Sequence, residues 1–380
     1  MKILYIARST IPSRDANSIQ VMKMCQAFAD NGHEVVLLVP DKKAKIETII
    51  DDIYNYYGVK NCFTINKIRI NHKNGRAFFE IIEIKKALLN FQPDLVYSRC
   101  FLGCTIACMN GYQTMYESHL PIWTSSSIKK TGFRILSKYS NFARLIVISQ
   151  ALQDIYLNEN IINNDKIFVA HDGSDEITDF NSKVELSGNS NKLNIGYSGH
   201  LYKGKGIEII AQIAPLAKDF NFHIVGGTEN DIEYWKSVIP WDNVFFYGFK
   251  PQNELHTYIN SFDVCLLPNQ KIVLPCGKHD HKYNISNFTS PLKMFEYMAH
   301  KKAIIASDLP VLREVLNDSN AILVQCDDID GWLKALEGLK NVQARERIAE
   351  NAYNIFISRY TWKKRAALVL QSHNHSVTIE

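Results

Sequence analysis

Ser290-Pro291-Leu292-Lys293-Met294-Phe295-Glu296 puts a loop, a helix start, a cation and a carboxylate within about two turns. Proline suits the first helical turn, because its missing N–H is no loss there. The free N–H groups of that turn, with Lys293 just inside it, form a place to hold a diphosphate. Glu296 lies one turn further on, on the face of Leu292 and Lys293, within reach of a ribose or sugar hydroxyl. An ordinary amphipathic helix carrying a solvated Lys and Glu has the same spacing. Two further groups invite chemistry. His119 follows Tyr116-Glu117-Ser118 at a strand end, although a lone histidine is more often structural. Asn17 and Ser18 open a helix, where they serve as an ordinary cap, a ligand contact, or both.

These groups need a scaffold. Short apolar runs alternate with amphipathic stretches: strands at Ile3–Ala7, Val35–Val39 (stopped by Pro40), Leu95–Tyr97, Thr114–Tyr116 and Leu145–Ile148, with helices over Val21–Asn31 and Phe79–Asn90. A second unit begins near residue 190, with strands at Leu193–Tyr197, Phe222–Val225, Val244–Gly248, Val264–Pro268 and Ala303–Ala306, and a helix over Gly206–Ala217. Such alternation implies parallel sheets covered on both faces. The polar stretch Asp172–Asn191 reads as the linker. The expected architecture is α/β, two Rossmann-like doubly wound domains facing across a cleft, with boundaries at 1–175 and 176–355. Arg345–Gln371 reads as helical, and the closing segment 356–380 crosses back to brace the first domain.

Composition narrows the class. The chain has 380 residues, 46% hydrophobic and 22% charged, enough for two ordinary cores. No apolar run is long enough to span a bilayer, and Met1–Ala7 reads as a buried strand, not a signal peptide. The eight cysteines form no CxxC pair, which suggests reduced thiols in a cytoplasmic protein. Cys100, Cys104 and Cys108 would share one helix face in a core. Residues 1–150 hold 20 Lys+Arg against 11 Asp+Glu, a net +9, and the rest a net −5. A basic first half suits an anionic membrane surface or an acidic acceptor; chance imbalance of surface charge is the plain alternative. No basic-aromatic cluster suggests nucleic acid. No P-loop or GxGxxG suggests an ATPase or a nicotinamide dehydrogenase.

Several stretches then agree in order. Asp15–Val21 and Ala29-Asp30-Asn31-Gly32-His33-Glu34-Val35 come first, then Val147-Ile148-Ser149 and Ile167–Asp175. Ile195-Gly196-Tyr197-Ser198-Gly199-His200-Leu201 and Lys205-Gly206 follow, and last the Ser290–Ala299 stretch with Ile304–Pro310. Over nearly the whole chain these resemble the glycosyltransferase family 4 enzymes of the GT-B fold, in the variant with an SPLK..EY donor motif. The resemblance implies retaining transfer of a sugar, of the hexosyltransferase type, from a nucleotide-diphosphate donor held mainly by the second domain. The acceptor hydroxyl would attack the face the diphosphate leaves, the leaving phosphate taking the proton. That chemistry needs no cofactor and no metal.

By the same resemblance Lys205 is the diphosphate lysine and Lys293 a second cation for the leaving group. Glu296 takes ribose hydroxyls, and Ser290, Pro291 and Leu292 form the helix start. Gly226, Gly227 and the Gly248-Phe249-Lys250 turn would lie under the base. His119 stands where the family often places a histidine beside the transferred sugar, and Asn17 and Ser18 would offer a second contact. Two positions depart from the pattern. His200 replaces the common arginine, and Phe288 stands where the Glu-x7-Glu pair has its first carboxylate. The implied role is extension of a cell-surface polysaccharide (lipopolysaccharide O-antigen or capsule) on a glycan or lipid-linked acceptor. The implied place is cytoplasmic and peripheral to the inner face of the membrane, with Ile128–Lys138 as a surface-lying helix. A nucleotide-sugar 2-epimerase and a non-catalytic sugar-nucleotide-binding partner of another transferase are the alternatives. The Cys276-x2-His279-x-His281 loop, with Asp280, matches no common zinc site and reads as a polar flap.

Overall fold

The apolar runs build two all-parallel sheets in the protein, known here from a computed structural model that describes residues 1–42, 50–69, 76–274 and 284–374. The Cys276–His281 loop lies outside the described residues. The chain divides into two units, residues 1–172 with 362–380, and residues 173–361.

The first unit holds β1 (Lys2–Ile6), β2 (Glu34–Asp41), β3 (Thr64–Arg69), β4 (Leu95–Ser98), β5 (Thr114–Ser118), β6 (Phe142–Val147) and β7 (Ile167–Val169). Their order is β3-β2-β1-β4-β5-β6-β7. Between them run α1 (Ala16–Asp30), α2 (Ile53–Tyr56), α3 (Arg76–Phe91), α4 (Phe101–Met109), α5 (Ser127–Leu136) and α6 (Gln150–Asn158). β1, β4 and β5 are buried nearly throughout, as strands covered on both faces must be. The order reverses between β1 and β4, so the C-terminal ends of these strands flank the switch point where doubly wound sheets bind ligands.

The second unit repeats the plan with β8 (Leu193–Ser198), β9 (Phe220–Val225), β10 (Val244–Gly248), β11 (Val264–Leu267), β12 (Ala303–Ser307) and β13 (Ile322–Val324), ordered β10-β9-β8-β11-β12-β13. Its helices are α7 (Ile207–Ile213), α8 (Glu229–Val238), α9 (Gln252–Ser261), α10 (Leu292–Ala299), α11 (Ile329–Gly338) and α12 (Val342–Arg359). Here the switch lies between β8 and β11. A continuous core of Ile, Leu, Phe and Trp side chains, with Trp332 wholly buried, fills the layer around β8 and β9.

Three expectations are corrected. Pro40 does not stop β2, which runs on to Asp41 beside β3. β1 pairs with β2 only as far as Leu38, so the missing proline N–H leaves no bond of that ladder unmade. α1 starts at Ala16, after Asp15 as N-cap, close to the opening read at Asn17-Ser18 and five residues before the Val21 start of the apolar pattern. The closing helix is two helices: α12 ends at Arg359, and α13 (Trp362–Asn374) follows the Tyr360-Thr361 break. Thr361 bridges to Ser174 within the second unit, while α13 packs along α1 in the first.

Candidate active site

In the second unit the groups collect at the β8/β11 switch. β8 ends at Ser198, and Gly199 follows with φ +134, a left-handed value open to glycine at no steric cost. Gly226, after β9, turns back so closely that a Cβ there would stand 2.0 Å from the Gly199 carbonyl oxygen. The need for glycine at Gly226 is therefore met by the protein's own backbone. At Gly227 the neighbour is Leu201, 2.5 Å from an added Cβ.

α10 is bolted to this loop. Pro291 is its N-cap, one residue outside the helix expected to include it, and Ser290 and Pro291 are buried. Lys293 and Tyr297, four apart, share the face toward β8. The Ser198 N–H donates to the Tyr297 hydroxyl at 2.8 Å. The Lys293 ammonium lies 3.7 Å from the centre of the Tyr197 ring, a cation–π contact. An added Cβ on Gly199 would sit 3.0 Å from Lys293 Nζ, so the glycine leaves the ammonium room. That Nζ is buried and makes no hydrogen bond among the described residues. Burial, then the charge of Lys205, push its pKa well below the usual lysine value, against a smaller pull from Glu296.

Lys205 is set between two left-handed glycines, Gly204 (φ +90) and Gly206 (φ +96). A Cβ on Gly206 would meet the Pro268 carbonyl oxygen at 2.0 Å, so the loop before α7 is clamped onto the end of β11. Lys205 is partly exposed as a residue, and burial of its charged end lowers its pKa to about 8. Two desolvated lysines at one strand switch, with the charge of Lys205 opposing that of Lys293, form a place that an anion would stabilise. Glu296 is half-buried on the same helix.

His200 is exposed; its carbonyl accepts from the Tyr197 hydroxyl at 2.7 Å, and its ring faces Tyr202. Lys250 lies over the Tyr258 ring at 5.1 Å, next to half-buried Phe249. Leu292 is half-buried at the start of α10, and Phe288, at the missing carboxylate position, is buried.

In the first unit, His119 follows β5 and its Nε2 lies 2.6 Å from Glu117 Oε1. Glu117 is the centre of a buried network that sequence reasoning missed. It accepts from Arg365 Nη2 at 3.0 Å, from Gln20 Nε2 at 2.7 Å, and from the Tyr97 hydroxyl. Arg365 comes from α13 and is 2% exposed; it also donates to the carbonyls of His171 and Ala170 and lies 3.9 Å from Asp172. Burial alone would raise the Glu117 pKa. The charge of Arg365, then the hydrogen bond and charge of His119 and the charge of Arg99, hold it far below the usual carboxylate range. Burial and Arg99 lower the pKa of His119, outweighing Asp172 and Glu117. That shift favours the neutral ring; a neutral ring beside a carboxylate donates through Nε2–H, which leaves Nδ1 as the acceptor.

Glu117, His119 and Asp172 could by spacing hold a metal ion. The Arg365 guanidinium already supplies the cation that the two carboxylates need, which disfavours a metal there. Asn17 is exposed on α1, and its amide oxygen accepts from Ser9. Ser18 is buried; its hydroxyl donates to the Asp15 carbonyl at 2.7 Å and meets the Ser13 hydroxyl at 2.9 Å. Its hydroxyl is bonded to the loop before α1, the structural role that the sequence allowed beside a ligand contact. One signal for Arg365 existed in the sequence. Trp362, Arg365, Ala366, Val369 and Leu370 are the buried stripe of α13, so the charge sits at a core position.

Two family models match in tandem, Glycosyltransferase Family 4 over residues 18–176 and Glycosyl transferases group 1 over residues 192–341. Both models describe glycosyltransferases, and the two parallel-sheet domains have the GT-B architecture. A curated relative, an uncharacterised glycosyltransferase of Methanocaldococcus jannaschii, is 26% identical over 255 residues, 62% of this chain and 58% of that one. The chain thus aligns with little more than half of that relative's length. Among solved structures, sucrose-phosphate synthase from Thermosynechococcus elongatus superposes with TM-score 0.74 at 14% identity, covering all of both chains. Anabaena HepE in complex with UDP superposes with TM-score 0.70 at 15% identity, covering 99% of this chain and all of that one. At these identities the likeness speaks for the fold.

Proposed function

We propose that the chain is a retaining glycosyltransferase whose donor is a nucleotide-diphosphate sugar. The observation that carries the reading is the Lys205/Lys293 pair at the β8/β11 switch, with a buried ammonium that has no hydrogen-bond partner among the described residues. A diphosphate placed there would satisfy both cations, and they would in turn offset charge growing on the leaving group. Glu296 would take ribose hydroxyls. The UDP bound by the Anabaena neighbour is the same ligand chemistry.

His119 would accept a hydrogen bond from a substrate hydroxyl through Nδ1. The acceptor hydroxyl would attack the face the diphosphate leaves, its proton passing to the leaving phosphate, so the protein's work is orientation and charge stabilisation. No cofactor or metal enters this scheme. The proposed acceptor is a glycan or lipid-linked glycan of the cell surface, such as lipopolysaccharide O-antigen or capsule, reached from the cytoplasmic side. α5 supports that setting: Ile128 and Ile135 are 81% and 58% exposed beside exposed Arg134, with Lys138 just beyond. No described helix is long and apolar enough to cross a membrane.

The test is transfer from a panel of nucleotide sugars by the full chain and by Lys205→Ala and Glu296→Ala. Each substitution is expected to cut turnover about 100-fold or more with the fold intact. Near-normal turnover in both removes the donor-site assignment.

A further inference from the structure

The buried network beneath His119 has more order than a single hydrogen bond to a substrate needs. Four elements converge on Glu117: α1 through Gln20, β4 through Tyr97, β5 itself, and α13 through Arg365. The charged and titratable groups facing His119 are Glu117, Asp172 and Arg99, with Tyr97, Tyr5 and Arg365 behind Glu117. Arg365 is the only one of these contributed by the closing helix, 248 residues from Glu117 in sequence.

We propose that Arg365 is a positioning residue: by holding Glu117 as a carboxylate it fixes His119 as the neutral Nε2–H tautomer and so presents Nδ1 as an acceptor. The physical sense is direct. A buried carboxylate needs a cation. With the guanidinium in place Glu117 has one, and the imidazole can stay neutral and donate. Without it, the nearest group able to gain a charge is His119, and a doubly protonated ring has no acceptor left to offer. The last helix would then be part of the chemistry of the first unit as well as of its packing. The activity arm of this proposal rests on the transferase reading; the spectroscopic arm does not.

The test follows the His119 ring by NMR in the full chain with isotope-labelled histidine, assigned by loss of the signal in His119→Gln. The wild-type ring is expected as the neutral Nε2–H tautomer at neutral pH. In Arg365→Met its protonation midpoint should rise by about a unit or more. Transfer at pH 7 should fall severalfold and recover as pH rises. Arg365→Lys keeps a cation and should leave the midpoint near the wild-type value. A merely structural arginine would lower the melting temperature and leave the midpoint and tautomer unmoved, which overturns the proposal. If Arg365→Met does not fold, Glu117→Gln/Arg365→Met leaves neither charge of the pair behind. There the Gln amide can donate or accept, so a mixture of tautomers is expected, and a single Nε2–H form overturns the proposal. Failure of the transferase reading looks different: the wild-type chain turns over no donor, while the ring signals still decide the role of Arg365.

Discussion

Lys293 carries an ammonium that the folded protein cradles on the Tyr197 ring but does not hydrogen-bond within the described residues. Holding such a charge out of water is costly unless a ligand meets it. Lys293→Met is therefore expected to raise the melting temperature of the donor-free protein while cutting donor affinity about tenfold or more. A variant that is less stable and binds donor normally would contradict this. Lys205 adds a pH dependence. With its pKa drawn down to about 8, its charge is present below that pH and lost above it. Donor affinity, measured by titration calorimetry across pH 7 to 9 (roughly one unit each side), should weaken as pH rises through about 8. Affinity that is flat across this range would set Lys205 outside the diphosphate site.

At the scale of elements, the site depends on loops that meet without side chains between them. Gly226, at φ +124 and 2.0 Å from the Gly199 oxygen in Cβ terms, has no space for a methyl group. Gly226→Ala should cost about 2 kcal/mol or more, read as a lower midpoint in urea with unchanged slope. A midpoint equal to wild type would refute that packing. Much of this was legible in the chain. The strand periodicity, the glycine-marked turns and the start of α10 at Ser290-Pro291 follow from local rules of backbone and burial. What was not legible is long-range. Nothing near Glu117 announces that Arg365 closes on it, because that contact exists only after α13 docks along α1. Pro40 misled for a related reason: whether a proline ends a strand depends on which neighbour needs its N–H, and that is set by sheet topology.

For the molecule as a whole, burying Glu117 makes stability depend on acid. Its pKa is depressed in the folded state from an ordinary 4.5. A depressed carboxylate contributes stability fully above its unfolded value and loses it as pH falls toward the folded value. Acid unfolding should therefore begin below about pH 4.5, and Glu117→Gln should flatten that dependence; an unchanged acid limb would exclude Glu117 as its source. Surface charge sets a second property. The +9 of residues 1–150 and the exposed Ile128 and Ile135 predict binding to anionic vesicles at low salt that weakens as salt is raised. Ile128→Asp/Ile135→Asp should reduce it severalfold in a sedimentation assay, and absence of binding by the wild-type chain would remove the membrane surface from the account.

The most direct test of the central claim is thermal unfolding of the full chain with UDP-, GDP-, ADP- and CMP-sugars, each compared with Lys205→Ala. A ligand at about 100 times its dissociation constant stabilises by about 2.7 kcal/mol, a rise of a few degrees for a chain of this size. The account predicts that rise for at least one nucleoside diphosphate sugar, and its loss in Lys205→Ala. No rise with any of them, or a rise that survives the substitution, would contradict a diphosphate site between Lys205 and Lys293.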